Sequence, residues 1–220
     1  MSFFPSPRRN RSRCRKSRRG TGMTMLEMLI SLAVIAALAI LAFPAIQKAR
    51  AGALRTGCMQ NLRTIGLGIT GYAQDHRGKL PGPQFEIIDM NQKGHMVFRL
   101  APYMEGSDRT RTWTCPANRW MADRNRSMAQ HNASYLSHYP WFGYKPAAKP
   151  EDEVFAKTLQ EIRQNYSLEQ QWLLNDADFW NYPNAAAIGG SYDPVHDGGR
   201  NVLFLDSRVV WVKSKRGVRP

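Results

Sequence analysis

The stretch Gly-Met-Thr-Met-Leu-Glu, residues 22–27, stands between a basic leader and a long apolar run, and it decides how this chain begins to fold. After Glu27, residues 28–43 contain no charged side chain, and the first strong helix breaker is Pro44. This length suits a helix of about 20 residues that crosses a membrane. A carboxylate at the start of such a segment is energetically costly and therefore indicates a functional site.

The net charge of +14 is concentrated at the N-terminus. Residues 1–22 hold eight Lys and Arg side chains and no acid, which leaves +6 on the rest of the chain. A basic block directly before an apolar segment is typical of the positive-inside signal, which keeps the N-terminus in the cytoplasm and sends the C-terminal part across. A basic arm that binds DNA is the alternative, but no aromatic residues are interleaved with these cations. We therefore expect no nucleic-acid partner.

Pro44 should kink the helix or end it locally. The pattern of apolar residues after Pro44 predicts that the helix then resumes with one buried face. Apolar residues recur at intervals of three and four, as on one stripe of an α-helix. The stripe consists of Leu54, Cys58, Leu62, Ile65, Ile69 and Tyr72. One helix is therefore expected from about Thr24 to about Asp75, weakened near its end by Gly66, Gly68 and Gly71.

These boundaries divide the chain into five segments. They are a basic leader (1–22), a transmembrane and polymerisation helix (23–46), its amphipathic continuation (47–76), a C-terminal globular domain (77–212) and a basic tail (213–220).

The globular domain is expected to be α+β, with a small antiparallel sheet against the long helix. Strand candidates are 111–116, 134–144 and 171–174, and residues 96–100 fit either a helical turn or a strand. Apolar spacing predicts a short helix over 151–164. The runs 201–205 and 208–212 flank two turn-capable residues and predict a hairpin.

Beside this physical interpretation, the stretch at 22–27 resembles the N-terminus of type IV prepilins and type II secretion pseudopilins. In that family a membrane aspartyl peptidase cleaves after the glycine and usually N-methylates the new terminus. The resemblance implies cleavage between Gly22 and Met23 and N-methylation of Met23. It also implies an assembly role for Glu27 and Pro44, the fifth and twenty-second residues of the mature chain.

The chemistry at Glu27 agrees with this resemblance. Cleavage would create an α-ammonium at Met23, and a cation of the same or a neighbouring subunit makes a carboxylate in lipid tolerable. A plain signal anchor, a cleaved secretory signal peptide ending near the A-x-A-like residues 37–39, and a twin-arginine signal at 17–19 are alternatives. The position of Glu27 and the amphipathic continuation disfavour a secretory signal peptide.

The distal part of the chain is similar to a prepilin-type family with a C-terminal His-x9-Asp-Gly signature, abundant in planctomycete-, verrucomicrobial- and lentisphaeral-type bacteria. The residues that carry this resemblance at the C-terminal end are His196, Gly199, Asn201, Asp206 and Ser207. Serine replaces the usual glycine at the last of these positions. Because glycine supplies a positive φ in tight hairpins, Ser207 puts the turn type in doubt, though not the hairpin.

The three cysteines allow two interpretations. Cys14 lies in the leader, whereas Cys58 and Cys115 belong to the part expected in an oxidising compartment. A buried free thiol at Cys58 and a disulfide between Cys58 and Cys115 both remain open. The cysteine and histidine spacing fits no zinc pattern.

The acidic residues around His196 raise the question of a catalytic or metal site. Asp176 and Asp178 precede it, and a calcium site would use Asp193, Asp197 and Asp206. The alternative is that His196 and Asp206 tie a glycine-rich loop to the hairpin by hydrogen bonds. No nucleophile motif is present, so the sequence predicts no catalytic residue, no cofactor and no metal other than this calcium.

Together these features predict a pilin-like structural subunit and not an enzyme. The resemblance implies a single-pass protein of the bacterial inner membrane with a periplasmic C-terminal domain, which joins a type II secretion pseudopilus or a type IV pilus-like fibre. The implied partners are prepilin peptidase, other pilin or pseudopilin subunits and an inner-membrane assembly platform. The alternative function is a membrane-tethered extracytoplasmic binding or hydrolytic domain that uses His196 and Asp206.

Overall fold

The computed structural model describes most of the chain from Met23 onward. The described residues are 23–84, 87–91, 93–104, 106, 109–118, 132–143, 156–177 and 194–215. The leader with Gly22, the acidic residue Asp193 and the end of the basic tail lie outside them. The chain divides into two compact units, Met1–Ala45 and Ile46–Pro220.

The first unit is described from Met23, and its structure is the beginning of helix α1, which spans Met25–Asp75. The long helix is therefore confirmed, and Pro44 lies inside it without ending it. Every described side chain from Met23 to Ala45 is exposed. Within the described part of the chain, α1 is the one helix long and apolar enough to cross a membrane.

In the second unit, α1 contributes one face to the core. The predicted stripe is buried at Cys58, Leu62, Ile65, Ile69 and Tyr72. The glycines predicted to weaken this end of α1 do not interrupt the helix. They permit close packing against neighbouring side chains. A Cβ at Gly66 would lie 3.0 Å from Leu203 Cδ1, and one at Gly68 would lie 2.9 Å from Met104 Cγ.

The described strands form one antiparallel sheet of five strands, in the order β1-β2-β3-β4-β5. They are β1 Ile87–Asp89, β2 Asn132–Ser137, β3 Trp172–Asp176, β4 Gly199–Phe204 and β5 Val209–Lys213. The predicted α+β class, the strand near 171–174 and the C-terminal hairpin are confirmed. Every residue of β3 is buried, as expected for a strand in the middle of a sheet.

Short helices connect these strands. Within the described residues they are α2 Met96–Leu100, α3 Arg109–Trp113 and α4 Leu159–Asn165, with 3₁₀ turns at Ala101–Tyr103 and Tyr139–Phe142. The prediction of an irregular β segment over 134–144 is therefore right only for its first part. Of the helix predicted over 151–164, residues 151–155 lie outside the described residues; within the described part, Thr158 caps α4 and the helix begins at Leu159.

The strand predicted over 111–116 is wrong, since this region forms α3 and the turn that carries Cys115. The side chain of Asn61 on α1 explains why. Its Nδ2 donates hydrogen bonds to the carbonyl oxygens of Arg111 at 3.0 Å and Thr114 at 3.1 Å. A helix side chain thus holds carbonyls that a strand would offer to a neighbouring strand, and this contact outweighs the β propensity of Thr and Trp.

Candidate functional site

The N-terminus of α1 has a cap that the sequence analysis missed. Glu27 N donates to Thr24 Oγ1 at 3.3 Å, and the Glu27 carboxylate accepts from Thr24 N at 2.8 Å and Thr24 Oγ1 at 3.0 Å. This reciprocal arrangement is a capping box, whose signal is Thr-x-x-Glu. Glu27 therefore has a local structural role, in addition to any pairing with a terminal amine.

The second site is a buried cluster of side chains from four parts of the chain. A disulfide joins Cys58 on α1 to Cys115, with 5.0 Å between their Cα atoms and a sequence separation of 57. Both residues are almost fully buried. Of the two alternatives left open by the sequence, the structure has the disulfide, and it fastens the helix to the segment after α3.

His196 completes this cluster with a carboxylate from the middle of the sheet. Its Nε2 lies 3.4 Å from Cys115 Sγ and 3.3 Å from Asp176 Oδ2. The same Asp176 oxygen accepts a hydrogen bond from Asn201 N at 2.6 Å. Asp176 is fully buried and His196 is 4% exposed, so the pair is removed from bulk water.

A tight turn before β4 holds His196 in place. His196 and Gly199 exchange backbone hydrogen bonds of 3.2 and 2.9 Å, and the two residues between them, Asp197 and Gly198, both have positive φ. Asp-Gly with two positive φ angles is typical of a type I′ turn. The indole Nε1 of Trp211 on β5 donates to His196 O at 3.0 Å, which fixes the turn against the sheet.

Gly199 is the position where this arrangement leaves no room for a side chain. A Cβ there would lie 2.3 Å from Trp211 Cε2, well inside the distance at which heavy atoms clash. Gly199 thus has a packing role in this chain, because it lets the Trp211 ring lie directly against the backbone of the turn.

Tyr135 on β2 is another titratable group near this cluster. It is fully buried and is opposite Asp176 in the β2–β3 register. Burial, and secondarily the negative charge of Asp176, raise the pKa of Tyr135 well above its usual value. The phenol is therefore neutral at physiological pH.

A cleft of about 360 Å³ lies beside the His196 turn. Its lining includes Lys48, Arg50 and Arg55 of α1, together with His196 and Asp197. The guanidinium carbon of Arg55 lies 5.9 Å from the centre of the Trp211 ring, within the range of a cation–π contact. The cleft is open to solvent, and most of the charged side chains that line it are basic. Because His196 belongs to both, the cleft is adjacent to the buried cluster.

The sequence analysis expected His196 and Asp206 to tie the glycine-rich loop to the hairpin, and the structure places these two residues at opposite ends of β4. His196 precedes β4 and Asp206 follows it, and six residues of strand at about 3.3 Å per residue separate their ends by about 20 Å. Asp206 instead accepts from Arg208 N at 3.1 Å and pairs with the Arg208 guanidinium. The partner of His196 is Asp176, which the sequence analysis considered only as one of several acids upstream.

The same geometry separates two of the three acids of the calcium hypothesis. Asp197 lies before β4 and Asp206 after it, so these carboxylates cannot bind one ion together. Asp193 lies outside the described residues. Among the residues that the structure describes, the donors that converge within 4.8 Å of one another are Cys58, Cys115, Asp176 and His196.

Ser207 adopts the conformation for which glycine is usual. Its φ is +67°, and its N–H donates to Phe204 O at 3.0 Å to close the turn between β4 and β5. The hairpin forms despite the serine, which accepts a left-handed backbone at some cost in free energy. The Ser207 hydroxyl also lies 3.4 Å from Thr70 Oγ1 on α1.

Comparison with known proteins gives one family match. The model of a family described as a protein of unknown function (DUF1559) matches residues 47–142. The matched segment begins just after the apolar part of α1 and contains both cysteines of the disulfide, but it ends before Asp176 and His196. No curated protein and no solved structure matches the chain.

Proposed function

We propose that this chain is a structural pilin-like subunit, not an enzyme, and that it is trimmed after Gly22 and assembled through α1 into a fibre. The fibre is a type II secretion pseudopilus or a type IV pilus-like filament of the bacterial inner membrane. The similarity to the DUF1559 family and the membrane-length apolar helix support an anchored extracytoplasmic protein. The N-terminal motif supports the more specific assignment.

The exposed apolar surface of α1 in the first unit carries this proposal. Met25 is 87% exposed and Leu41 is 75% exposed. Such surface is stable against lipid or against apolar protein, and unstable against water. A fibre subunit encounters both lipid and apolar protein, because it resides in the membrane before assembly and then packs against neighbouring subunits.

Processing is tested by N-terminal sequencing of the mature protein from cells that contain prepilin peptidase. The expected first residue is Met23, carrying an N-methyl group. Gly22→Ala should leave the leader attached, while a substitution elsewhere in the leader, such as Arg11→Ala, should not. A mature protein that begins at any other residue would refute this step.

Assembly is tested at Glu27 with variants that separate its charge from its cap. Glu27→Gln keeps an acceptor oxygen for Thr24 N but removes the charge, whereas Glu27→Ala removes both. Thr24→Ala breaks the cap and keeps the charge. If Glu27 pairs with a terminal amine, both Glu27 variants should lose fibres and Thr24→Ala should keep them. Fibres of normal yield from Glu27→Gln would show that the charge is dispensable.

A membrane-tethered binding domain is the second candidate, and the basic cleft is the observation in its favour. Lys48, Arg50 and Arg55 around a cleft of about 360 Å³ suit an anionic ligand. Arg55→Ala should then abolish binding of such an anionic ligand to the tethered domain. Arg63→Ala is the matched control, since Arg63 is an exposed cation on the same helix that is not in the lining.

A further inference from the structure

We propose that Cys58, Cys115, Asp176 and His196 form a Zn²⁺ site when the disulfide is reduced, so that this cluster exists in two mutually exclusive forms. One form is the disulfide, and the other is a zinc ion held by two thiolates, an imidazole and a carboxylate. The proposal does not depend on fibre assembly. It rests on the donor types, their spacing and their burial.

The donor set suits zinc better than the hard cations. Thiolate and imidazole are preferred ligands of Zn²⁺, whereas Ca²⁺ and Mg²⁺ select oxygen. A carboxylate oxygen is an accepted fourth ligand of zinc. The four donor atoms already lie within 4.8 Å of one another.

The distances within the cluster agree with a tetrahedral ion. With zinc bonds of about 2.3 Å to sulfur and about 2.0–2.2 Å to nitrogen and oxygen, tetrahedral geometry separates N and O by about 3.3 Å and N and S by about 3.6 Å. His196 Nε2 lies 3.3 Å from Asp176 Oδ2 and 3.4 Å from Cys115 Sγ. Two of the three edges that meet at His196 are therefore close to their tetrahedral lengths, and the two bonded sulfurs must separate to complete the site.

The surroundings support a site of this kind. Asn201 N donates to the Asp176 oxygen at 2.6 Å, which orients the carboxylate as outer-shell hydrogen bonds do in metal sites. All four residues are at most 4% exposed, so water competes little for the ion. His196 also lines the solvent-open cleft, which gives an ion a route to the cluster.

The chemistry balances in two steps. A dithiol reductant transfers two electrons and two protons to the Cys58–Cys115 disulfide, giving two thiols and an oxidised reductant. Zn²⁺ then displaces both thiol protons and binds the two thiolates, neutral His196 and the Asp176 carboxylate. In the reverse direction a disulfide oxidant accepts two electrons from the two thiolates and two protons from solvent, becoming a dithiol, while the Cys58–Cys115 bond re-forms and Zn²⁺ is released.

The test uses the full chain in detergent with Cys14→Ser, because the leader cysteine is a third thiol. Reduced protein is titrated with Co²⁺, whose tetrahedral thiolate complexes absorb strongly, and the Co²⁺ is then displaced by Zn²⁺. We expect one Co²⁺ per chain with thiolate-to-metal charge transfer, and none in the oxidised protein. Absence of stoichiometric binding, or equal binding by the oxidised protein, overturns the proposal.

Variants assign the ligands. His196→Ala should lower the Co²⁺ affinity at least as much as loss of an outer-shell partner does, about 10–100-fold. His76→Ala, which removes an exposed imidazole in the turn after α1, should not. The oxidised His196→Ala protein checks that the domain still folds. His196→Cys, which again offers four donors, should restore binding. Unchanged affinity in His196→Ala, or failure of His196→Cys to regain it, assigns His196 a packing role and overturns the proposal.

Discussion

The two compact units use their apolar residues in opposite ways, although one helix runs through both. In the first unit Met25 is 87% exposed, whereas in the second Cys58, Leu62 and Ile65 on the same helix are fully buried. In the second unit, the apolar face of α1 packs against that unit's own sheet. The apolar side chains of the first unit have no such cover within the described part of the chain. The comparison teaches that the first unit leaves a large apolar surface uncovered within the described residues, as the proposed anchor and assembly helix requires, whereas the second unit buries its apolar face internally.

The first prediction tests the bond that fastens helix to domain in the second unit. Replacing Cys58 and Cys115 together by serine should lower the free energy of unfolding by about 2–5 kcal/mol, because the unfolded chain gains freedom. Denaturant unfolding followed by tryptophan fluorescence measures this. Cys14→Ser is the control and should change nothing. An unchanged midpoint in the double variant would mean that packing alone holds α1 to the domain.

The second prediction concerns the turn that carries His196. Gly199→Ala forces a methyl group against the Trp211 ring and should cost about 1–3 kcal/mol by overpacking. Trp211→Ala removes the ring, so the double variant should recover part of that loss. A double-mutant cycle on the unfolding free energies gives the coupling. Additive effects would contradict the close contact between the glycine and the ring.

Local signals account for the parts of the fold that the sequence predicted. The apolar stripe of α1 and the two β-rich runs around the C-terminal turn are patterns of residues close together in sequence. The long helix and the hairpin could therefore be predicted from them. The error at 111–116 has a long-range cause. Asn61, about 50 residues upstream, binds the carbonyls of that segment, and no pattern within the segment records this contact.

The cluster shows the same limit at the candidate site. Sequence spacing excluded a zinc pattern because such patterns assume paired ligands close together in the chain. Here Cys58 and Cys115 are 57 residues apart, and their neighbours come from β3 and the turn before β4. His196 was identified, but its partner Asp176 depends on strand order, which the sequence analysis did not predict. The Thr24 cap was local and readable, and it was overlooked.

The third prediction compares two faces of α1 by making the same Gly→Ala change on each. Gly52→Ala meets no atom within 4 Å and should stabilise the chain by about 0.5–1 kcal/mol through helix propensity. Gly68→Ala places a methyl group 2.9 Å from Met104 Cγ and should destabilise it by about 1 kcal/mol. Opposite signs in denaturant unfolding are expected. Stabilisation by both would show that Met104 yields readily and that this face is loosely packed.

The fourth prediction compares the caps of the two units. Thr158 and Glu161 form the same capping box at α4 that Thr24 and Glu27 form at α1. Thr158→Ala should cost about 1 kcal/mol of unfolding free energy. Thr24→Ala should leave the unfolding of the second unit unchanged, since its helix end lies in the first. Equal losses would mean that the two units unfold as one.

The α4 cap should also depend on pH in a defined direction. Hydrogen bonds from the backbone and then the hydroxyl of Thr158 lower the pKa of Glu161 below its usual 4.5. A lowered folded-state pKa gives stability that is present above pH 4.5 and is lost as the pH falls through the folded value. The difference in unfolding free energy between the original chain and the Thr158→Ala variant should therefore shrink below pH 4.5. A constant difference down to pH 2 would mean that the hydroxyl caps α4 without help from the carboxylate.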